Sequence, residues 1–305
     1  MDRRTFLATS GLALAAIATG CGKKQRPQIP AGATIDQAKA ALAKSDSTMQ
    51  VIQATQEVFV QRKARVPFAL LSQSGTDRFT GGDVRVYWSE SPAAPLKGPV
   101  AAEYHGEGLG EKGVYTAHVD LTTATTFAIL AVGKPSGASG ELYGDGVYIG
   151  VDHVKGPGIG AKAISVPTPT VDNHRGVEPY CTRTPPCSMH AVSLDVALAN
   201  GRPTVFNIGT PRFCTSRTCG PVVDVIMTAT AALKDRVNLI HAEVWKNDTD
   251  APSDVVNGLA PAAKAWSLDE DPITYWIKPD RTIVERIVGP IDVQEVRSLT
   301  QALLG

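Results

Sequence analysis

The sequence lacks an excess of charge, long apolar runs and regularly spaced histidines. Its 30 basic and 30 acidic residues give a formal net charge of zero, which argues against a nucleic-acid partner. No apolar run reaches the ~20 residues that a membrane-spanning helix needs. The histidines at positions 105, 118 and 153 are scattered without the spacing of metal ligands. We therefore expect no nucleic acid, no metal and no cofactor.

Cysteine is scarce as well, and its distribution is uneven. Of the five cysteines, Cys21 stands alone, and the other four lie between positions 181 and 219. An even number of clustered cysteines in an exported protein favours two disulfides, and four sulfurs allow three pairings. Short rings favour Cys181–Cys187 and Cys214–Cys219 over the other pairings.

The first 21 residues have the layout of an export signal. Arg3 and Arg4 precede an apolar run at 6–17, and small residues follow directly before Cys21. A basic front, a short apolar core and small residues at the cut are typical of a cleaved signal peptide. The paired arginines resemble a twin-arginine export signal. The residues before Cys21 resemble the lipobox of bacterial lipoproteins, although Ala18 replaces the usual leucine.

The lipobox resemblance implies that Cys21 becomes the first residue of the mature chain and carries a lipid. The protein is then expected in the cell envelope, anchored to the outer face of the cytoplasmic membrane. Its expected partners are other envelope proteins with thiols or disulfides. A secreted protein in which Cys21 is a chance cysteine is the alternative. Residues 22–46, basic at first and then rich in alanine, are predicted to be a flexible tether.

Residues 47–165 alternate short apolar runs with breaks rich in glycine, serine and proline. About seven such runs predict short strands. We expect an all-β, immunoglobulin-like sandwich. It would lack the inter-sheet disulfide of antibody domains, because the region has no cysteine. The expected role of this domain is to present its neighbour to a partner, or to bind that partner.

Residues 166–305 form the second predicted domain, which is organised around two cysteines. Apolar residues at 204–208 predict a buried strand, and a helix is predicted to begin at Gly220. Cys214 and Cys219 lie between them, where backbone N–H groups and the helix dipole favour a thiolate. This placement favours thiol chemistry. A structural disulfide without turnover is the alternative.

The predicted order of elements in this domain is strand, helix, strand, helix, two strands joined by a hairpin, and helix. The helix after the cysteines is predicted from apolar residues that recur every three and four positions, and the last helix from Asp292 and Glu295, which have the spacing of a capping box. With Cys214 and Cys219 after the first strand and Asp271-Pro272 before the hairpin, this α/β order resembles a thioredoxin-like domain. The resemblance implies a cis-proline at Pro272, and Asp271 and Pro272 would bind the backbone of a partner chain. The spacing departs from the family, because Cys-x4-Cys replaces Cys-x2-Cys. A second register, in which Cys219 leads and Val222 takes the place of the second cysteine, stays open.

The roles of the two cysteines follow from their positions in this resemblance. Cys214 is expected to be the attacking thiolate, with a pKa below the value of about 8.5 of free cysteine. Arg212 and Arg217 are expected to favour its anion. Cys219 is expected to resolve the mixed disulfide that forms with a partner.

The other cysteine pair encloses two prolines. A rigid short ring favours a structural disulfide between Cys181 and Cys187. An electron relay to Cys214 is the alternative. Because His190 follows Cys187 by three residues, a Cys/His metal cluster is a further, less favoured hypothesis.

The function that the sequence favours is that of a membrane-anchored thiol–disulfide oxidoreductase acting through the Cys-x4-Cys pair. The sequence alone does not establish that the protein is an enzyme. A non-catalytic thioredoxin-like binding or scaffold lipoprotein with structural disulfides is the main alternative. A peroxidase is disfavoured because Pro211 occupies the position where peroxidases of this superfamily carry threonine. A copper chaperone is disfavoured because His241, the histidine that follows Cys219 in the sequence, is expected in a core strand.

Overall fold

The computed structural model describes most of the chain beyond its N-terminal segment. The described residues are 28–55, 57–153, 155–214, 216–247, 258–268 and 271–305. The predicted signal peptide with Cys21 and the first residues of the predicted tether lie outside them. Among the described residues, no helix has both the length and the apolar character that crossing a bilayer requires.

Ten strands of the first unit pair into one continuous sheet. They are β1 (Ser47–Thr48), β2 (Gln50–Gln53), β3 (Glu57–Phe59), β4 (Ala64–Leu71), β5 (Arg78–Phe79), β6 (Gly82–Ser89), β7 (Lys97–His105), β8 (Val114–Val119), β9 (Thr126–Pro135) and β10 (Leu142–Val151). Their order across the sheet is β1-β10-β9-β6-β7-β8-β4-β2, with β3 also paired to β10 and β5 to β4. The pairings among β4, β6, β7, β8, β9 and β10 are all antiparallel.

The sheet nearly closes on itself through the short segment that holds β1 and β2. β1 pairs in parallel with β10, whereas β2 pairs antiparallel with β4, near the opposite end of the strand order. Between these two strands, the Met49 N–H donates to the Tyr143 carbonyl at 2.8 Å. One nearly closed sheet replaces the two facing sheets of a sandwich, so the predicted immunoglobulin-like arrangement is not confirmed.

Aromatic rings fill the interior of this sheet. Phe68 stacks on Tyr115 with 5.7 Å between ring centroids, and Phe127 stacks on Tyr148 at 5.5 Å. All four side chains are at most 1% exposed. The Tyr148 hydroxyl donates to the Pro67 carbonyl at 2.9 Å, so burying its polar end leaves no unsatisfied donor. The first unit therefore has a hydrophobic core of its own.

Part of the predicted tether is folded against the outside of the sheet. The helix α1 (Ile35–Leu42) begins after Thr34, whose side chain caps it. Its apolar residues recur every three or four positions and are buried against Leu130 and Tyr143. At α1, the segment predicted as a flexible spacer at 22–46 is therefore a packed helix, because Ile35, Ala38 and Leu42 form one apolar face.

The second unit is an α/β layer structure in which the predicted order of elements is confirmed. Its elements are α2 (Leu194–Ala197), β11 (Thr204–Ile208), α3 (Cys219–Thr230), β12 (Asn238–Ala242), α4 (Pro261–Ala265), β13 (Ile273–Ile277), β14 (Ile283–Val288) and α5 (Val293–Leu304). The sheet order is β12-β11-β13-β14. β11 and β12 are parallel, and β13 is antiparallel to both β11 and β14.

Both faces of this four-stranded sheet are covered. Successive residues of a strand point to opposite faces, so Val205 packs with α3 and α5 while Phe206 packs with Trp266, just after α4. The same alternation places Trp276 and Tyr275 on opposite faces. Every residue of β11 and β13 is buried as a result. These two central strands give the site a rigid base.

The start of α5 joins the two units. Asp292 caps the helix and forms the predicted capping box with Glu295. The same two carboxylates also contact the first unit. Arg65 donates to both carboxylate oxygens of Glu295 at 3.1 Å, and the Gly106 N–H donates to Asp292 at 3.1 Å. The cap of a helix in one unit therefore serves as the docking point of the other.

Candidate active site

The loop after β11 and the start of α3 bring two cysteines together. Cys214 lies in the loop, and Cys219 is the first residue of α3. Their sulfurs and a carboxylate oxygen of Asp271 all lie within 4.8 Å of one another. Cys214 is 7% exposed, and Cys219 is fully buried. This proximity favours the Cys214–Cys219 register over the one that places Val222 as the second position.

Hydroxyl groups form a short chain beside Cys214. Its sulfur lies 3.1 Å from Ser216 Oγ, which in turn lies 2.7 Å from Thr218 Oγ1. The Ser216 hydroxyl and the backbone N–H groups of Cys219 and Thr218 donate toward the sulfur of Cys214, and the Cys219 thiol shares its single hydrogen between Cys214 and Asp271. Led by the bond from Cys219 and acting against burial, they lower the pKa of Cys214 to about 5. Cys214 is therefore a thiolate at neutral pH.

The lowered pKa of Cys214 has a different origin from the one that the sequence indicated. Arg212 and Arg217 were expected to favour the anion, but hydrogen bonds account for the shift. The Arg212 guanidinium instead lies over the Phe213 ring, 5.6 Å from its centroid. The chain of hydroxyls was missed because serine and threonine are common in loops, although Ser216 and Thr218 lie two and four residues after Cys214 in the sequence.

Cys219 is held as a protonated thiol by Asp271. Its Sγ donates to Asp271 Oδ2 at 3.1 Å, and the Thr210 N–H donates to the same oxygen at 2.9 Å. Burial, followed by the hydrogen bond to Cys214, raises the pKa of Cys219. Burial, with the negative charge of Cys214 as the next cause, raises the pKa of Asp271 to about 6. The two sulfurs thus differ in protonation, with the anion on Cys214.

The Asp271–Pro272 peptide bond is cis, as the resemblance implied. The Pro272 carbonyl already accepts from the Gly289 N–H at 2.8 Å, so that oxygen is engaged within the chain. The Asp271 side chain bonds to Cys219, a contact that its place in the sequence does not reveal. Partner binding by Asp271 and Pro272 stays a prediction.

A cleft of about 630 Å³ lies between the two units and is lined by neighbours of the two sulfurs, but not by the cysteines themselves. Its lining includes three of these neighbours. Asp271 contacts the Cys219 sulfur, Ser216 contacts the Cys214 sulfur, and Thr218 contacts the Ser216 hydroxyl. Basic side chains contribute to the same lining, among them Arg78 and Lys112 of the first unit. The first unit therefore forms one wall of the approach to the cysteines.

The remaining two cysteines lie elsewhere, in a buried cluster with two histidines. Cys181, Cys187, His190 and His241 each contribute one side-chain atom to a group whose members lie within 4.8 Å of one another. All four residues are at most 4% exposed. His241 lies in β12, in the core strand where it was expected, but its ring faces the two sulfurs. All four described cysteines are free thiols in the structure, so the two disulfides stay predictions.

Comparison with known proteins adds little to this geometry. No family model matches the chain, and no curated protein matches it either. One solved structure that it matches is the thiol:disulfide interchange protein of the thioredoxin family from Chlorobium tepidum TLS. The match has 14% sequence identity and a TM-score of 0.29, and it covers 48% of this chain and 100% of that one. This similarity is too low to support an argument, so the fold and the site are described from the residues of this chain.

Proposed function

We propose that this protein exchanges thiols and disulfides with partner proteins through Cys214 and Cys219. The observation that carries the proposal is the asymmetry of the pair. Hydrogen bonds stabilise a slightly exposed thiolate at Cys214, while Asp271 holds the buried thiol of Cys219 within reach of it. Thiol–disulfide exchange needs such a pair, with one sulfur that attacks and one that resolves.

In the first step the Cys214 thiolate attacks one sulfur of a partner disulfide. A bond forms between Cys214 and that sulfur, and the S–S bond of the partner breaks. The second partner sulfur leaves as a thiolate and takes a proton from solvent. The product is a mixed disulfide. The hydroxyl of Ser216 and the N–H groups at the start of α3 hold the attacking anion before this step.

In the second step Cys219 resolves the mixed disulfide. Its proton passes to the Asp271 carboxylate, whose Oδ2 already accepts a hydrogen bond from it. The Cys219 sulfur then attacks Cys214, and the bond from Cys214 to the partner breaks. The released partner thiolate takes a proton. In total, two electrons leave the cysteine pair, which becomes a disulfide, and the partner disulfide is reduced. The same steps in reverse oxidise a partner dithiol.

The cleft between the units supplies the approach for a partner chain. It reaches the side chains that hydrogen-bond both sulfurs, and the first unit forms one of its walls. Binding the partner segment beside the cysteines is thus the role that we assign to the first unit. Ser216 and Thr218 of the Cys-x4-Cys loop line the same cleft, and so does Asp271, whose peptide bond to Pro272 is cis.

We further propose that the protein works at the outer face of the cytoplasmic membrane, held by a lipid on Cys21. The support is the N-terminal sequence, with its paired arginines, short apolar run and small residues before Cys21. Metabolic labelling with a fatty acid tests this anchor. We expect label on the wild-type protein and none on the Cys21→Ser variant, which should leave the membrane fraction. Equal membrane association of the two proteins without label would reject the anchor.

Trapping of the mixed disulfide tests the proposed exchange. The Cys219→Ser variant should accumulate a covalent complex with a disulfide-containing protein, and the complex should disappear on reduction. The Cys214→Ser variant should form none. If neither variant traps a partner and the wild type reduces no protein disulfide, the site is a binding module without turnover.

A further inference from the structure

The buried cluster of Cys181, Cys187, His190 and His241 plays no part in the exchange proposed above. Its side-chain atoms come from two distant parts of the second unit, because His241 lies in β12 and the other three lie before α2. His241 Nδ1 lies 3.2 Å from His190 Nε2, 3.4 Å from the Cys187 sulfur and 3.8 Å from the Cys181 sulfur. The four atoms all lie within 4.8 Å of one another, which is close enough for one ion to contact all of them.

The hydrogen bonds of the two rings settle which nitrogens carry protons. His241 Nε2 lies 2.9 Å from the Gly209 carbonyl, and His190 Nδ1 lies 3.2 Å from the Pro169 carbonyl. A carbonyl oxygen can only accept, so each of these nitrogens carries the hydrogen of its neutral ring. The other two nitrogens, His241 Nδ1 and His190 Nε2, then present bare lone pairs to each other. Neither can donate to the other.

Without a metal, the hydrogens of the two cysteine thiols are the donors available to these nitrogens. A cation between the four atoms takes the place of both hydrogens. A metal ion accepts all four lone pairs at once, and its double positive charge balances two thiolates in a site that water does not reach. The Cys187 N–H also lies 3.4 Å from the Cys181 sulfur, which is the kind of donor that a metal-bound thiolate accepts.

The distances fit one metal geometry. Bond lengths of about 2.3 Å to sulfur and about 2.0–2.1 Å to nitrogen place tetrahedral ligand atoms roughly 3.3–3.8 Å apart. The three separations measured from His241 Nδ1 are 3.2, 3.4 and 3.8 Å. A closed set of two sulfurs and two imidazole nitrogens is typical of a structural zinc site. Imidazole ligands that donate their second N–H to a backbone carbonyl are typical of such sites as well.

We infer that Cys181, Cys187, His190 and His241 bind a structural zinc ion. The inference does not depend on the proposed thiol exchange. A disulfide between Cys181 and Cys187, predicted from the sequence, would remove both thiolates and leave the two histidine lone pairs facing each other. The metal satisfies all four atoms, so the geometry favours zinc over the disulfide.

The position of this site connects it to the loop that carries Cys214. His241 donates to the carbonyl of Gly209, the residue directly after β11. The side chain of Thr182, next to Cys181, accepts from the Arg212 N–H at 3.2 Å. Both contacts hold the loop between β11 and Cys214. The zinc ion would therefore fix the base of this loop without touching the reacting sulfurs.

Metal analysis of the full mature chain, purified without a polyhistidine tag and under reducing conditions, tests the inference. We expect one zinc ion per chain in the wild type. The Cys187→Ser and His190→Ala variants should lose most of the zinc. The Cys214→Ser and Cys219→Ser variants are the matched controls and should keep it. Zinc that is lost from these controls but kept by Cys187→Ser would place the ion at the other cysteines and overturn the inference.

Cobalt substitution gives a readout that needs no variant to fold. Cobalt(II) added to the zinc-free wild type should give the absorption of a tetrahedral ion with thiolate-to-metal charge transfer, and zinc should abolish it. Three results would overturn the inference. These are a cobalt spectrum without a thiolate band, copper in place of zinc in the isolated protein, and a Cys181–Cys187 disulfide in the protein as it leaves the cell, detected by mass spectrometry.

Discussion

The Cys219 thiol donates a hydrogen bond to the Asp271 carboxylate at 3.1 Å, although 52 residues separate them in the sequence. This contact places a proton acceptor next to the sulfur of Cys219, which must lose its proton before it can resolve the mixed disulfide. The acceptor is half-buried, and beside the Cys214 thiolate its raised pKa of about 6 leaves it mostly ionised at neutral pH. Asp271 is therefore placed to act as the base of the resolving step.

The Asp271→Asn variant should form the mixed disulfide normally but resolve it slowly. The amide cannot accept the Cys219 proton, so we expect resolution to slow by about 100-fold, the lower range for the loss of a general base. Rapid-quench analysis of the mixed disulfide with a model disulfide measures this step. The Asp280→Asn variant is the matched control, because Asp280 is an exposed carboxylate that pairs with Lys162 and not with either cysteine, and its rate should be unchanged. Equal rates in both variants would remove Asp271 from the mechanism.

The resolving step of the wild type should also depend on pH. Asp271 accepts a proton only when it is ionised, and burial together with the negative charge of Cys214 raises its pKa to about 6. In the mixed disulfide Cys214 carries no charge, so the pKa of Asp271 then lies below that value. Resolution should therefore be fast at neutral pH and become slow only as the pH falls below about 6. The pH profile of mixed-disulfide decay measures the midpoint. The profile of Asp271→Asn should lack this transition, whereas an identical transition in the variant would assign it to another group.

Alkylation of Cys214 tests its lowered pKa separately. The thiolate is the reactive form, so the rate with iodoacetamide should rise through about pH 5 and be level at neutral pH. The Ser216→Ala variant removes one donor, and the midpoint should rise by about one pH unit. Ser74→Ala, at an exposed serine of the first unit, is the control and should leave the midpoint unchanged. A wild-type midpoint near 8.5, the value of free cysteine, would contradict the hydrogen-bonded thiolate.

The elements of the second unit were predictable because their patterns are local. Apolar spacing of three and four residues marked α3, and Asp292 with Glu295 marked the start of α5. The Cys214–Cys219 pair was visible for the same reason, since five residues of loop keep the sulfurs close. The two carboxylates of the α5 cap were also predicted, but not their second role in binding the first unit, because Arg65 is distant in sequence.

The features that the sequence did not reveal depend on distant pairings. The first sheet closes because Ser47 pairs with Leu142 and Gln50 pairs with Leu71, and the strand pattern alone does not choose these partners. His241 fits the pattern of a core strand, and only the fold shows that its ring meets His190 and the two cysteines. A histidine that only packs in the core and a histidine that binds a metal ion can have the same apolar neighbours in the sequence. The sequence pattern therefore could not distinguish the two roles.

Gly289 should be sensitive to substitution because it lies where the two units meet. Its φ is +89°, and a Cβ at this position would lie 2.7 Å from the Ala54 carbonyl oxygen of the first unit. Gly201 is a matched control, with φ of +76° and no atom within 4 Å of such a Cβ. The Gly201→Ala variant should lose about 1 kcal/mol of unfolding free energy from backbone strain alone. Gly289→Ala should lose at least about 1 kcal/mol more, because the clash adds to the strain.

Urea unfolding of both glycine variants measures this difference. Gly289 also lines the cleft beside the cysteines, so a shift of the first unit should slow exchange in Gly289→Ala but not in Gly201→Ala. Equal losses of stability in the two variants would mean that the units are not in contact at Ala54.

The ion pair between Arg65 and Glu295 should contribute more to stability than an exposed pair. The two side chains are 14% and 13% exposed, and the guanidinium contacts both carboxylate oxygens, so solvent screens the interaction weakly. A double-mutant cycle with Arg65→Ala and Glu295→Gln should give a coupling energy of about 1–3 kcal/mol. The cycle removes the separate effect of Glu295 on the α5 cap, because that effect is common to both backgrounds. The same cycle on Lys162 and Asp280, whose side chains are 60% and 64% exposed, should give a much smaller coupling energy, because water screens this pair. Equal coupling in the two cycles would show that the contact between the units is as open to water as the surface pair, and the first unit would then not form a fixed wall of the cleft.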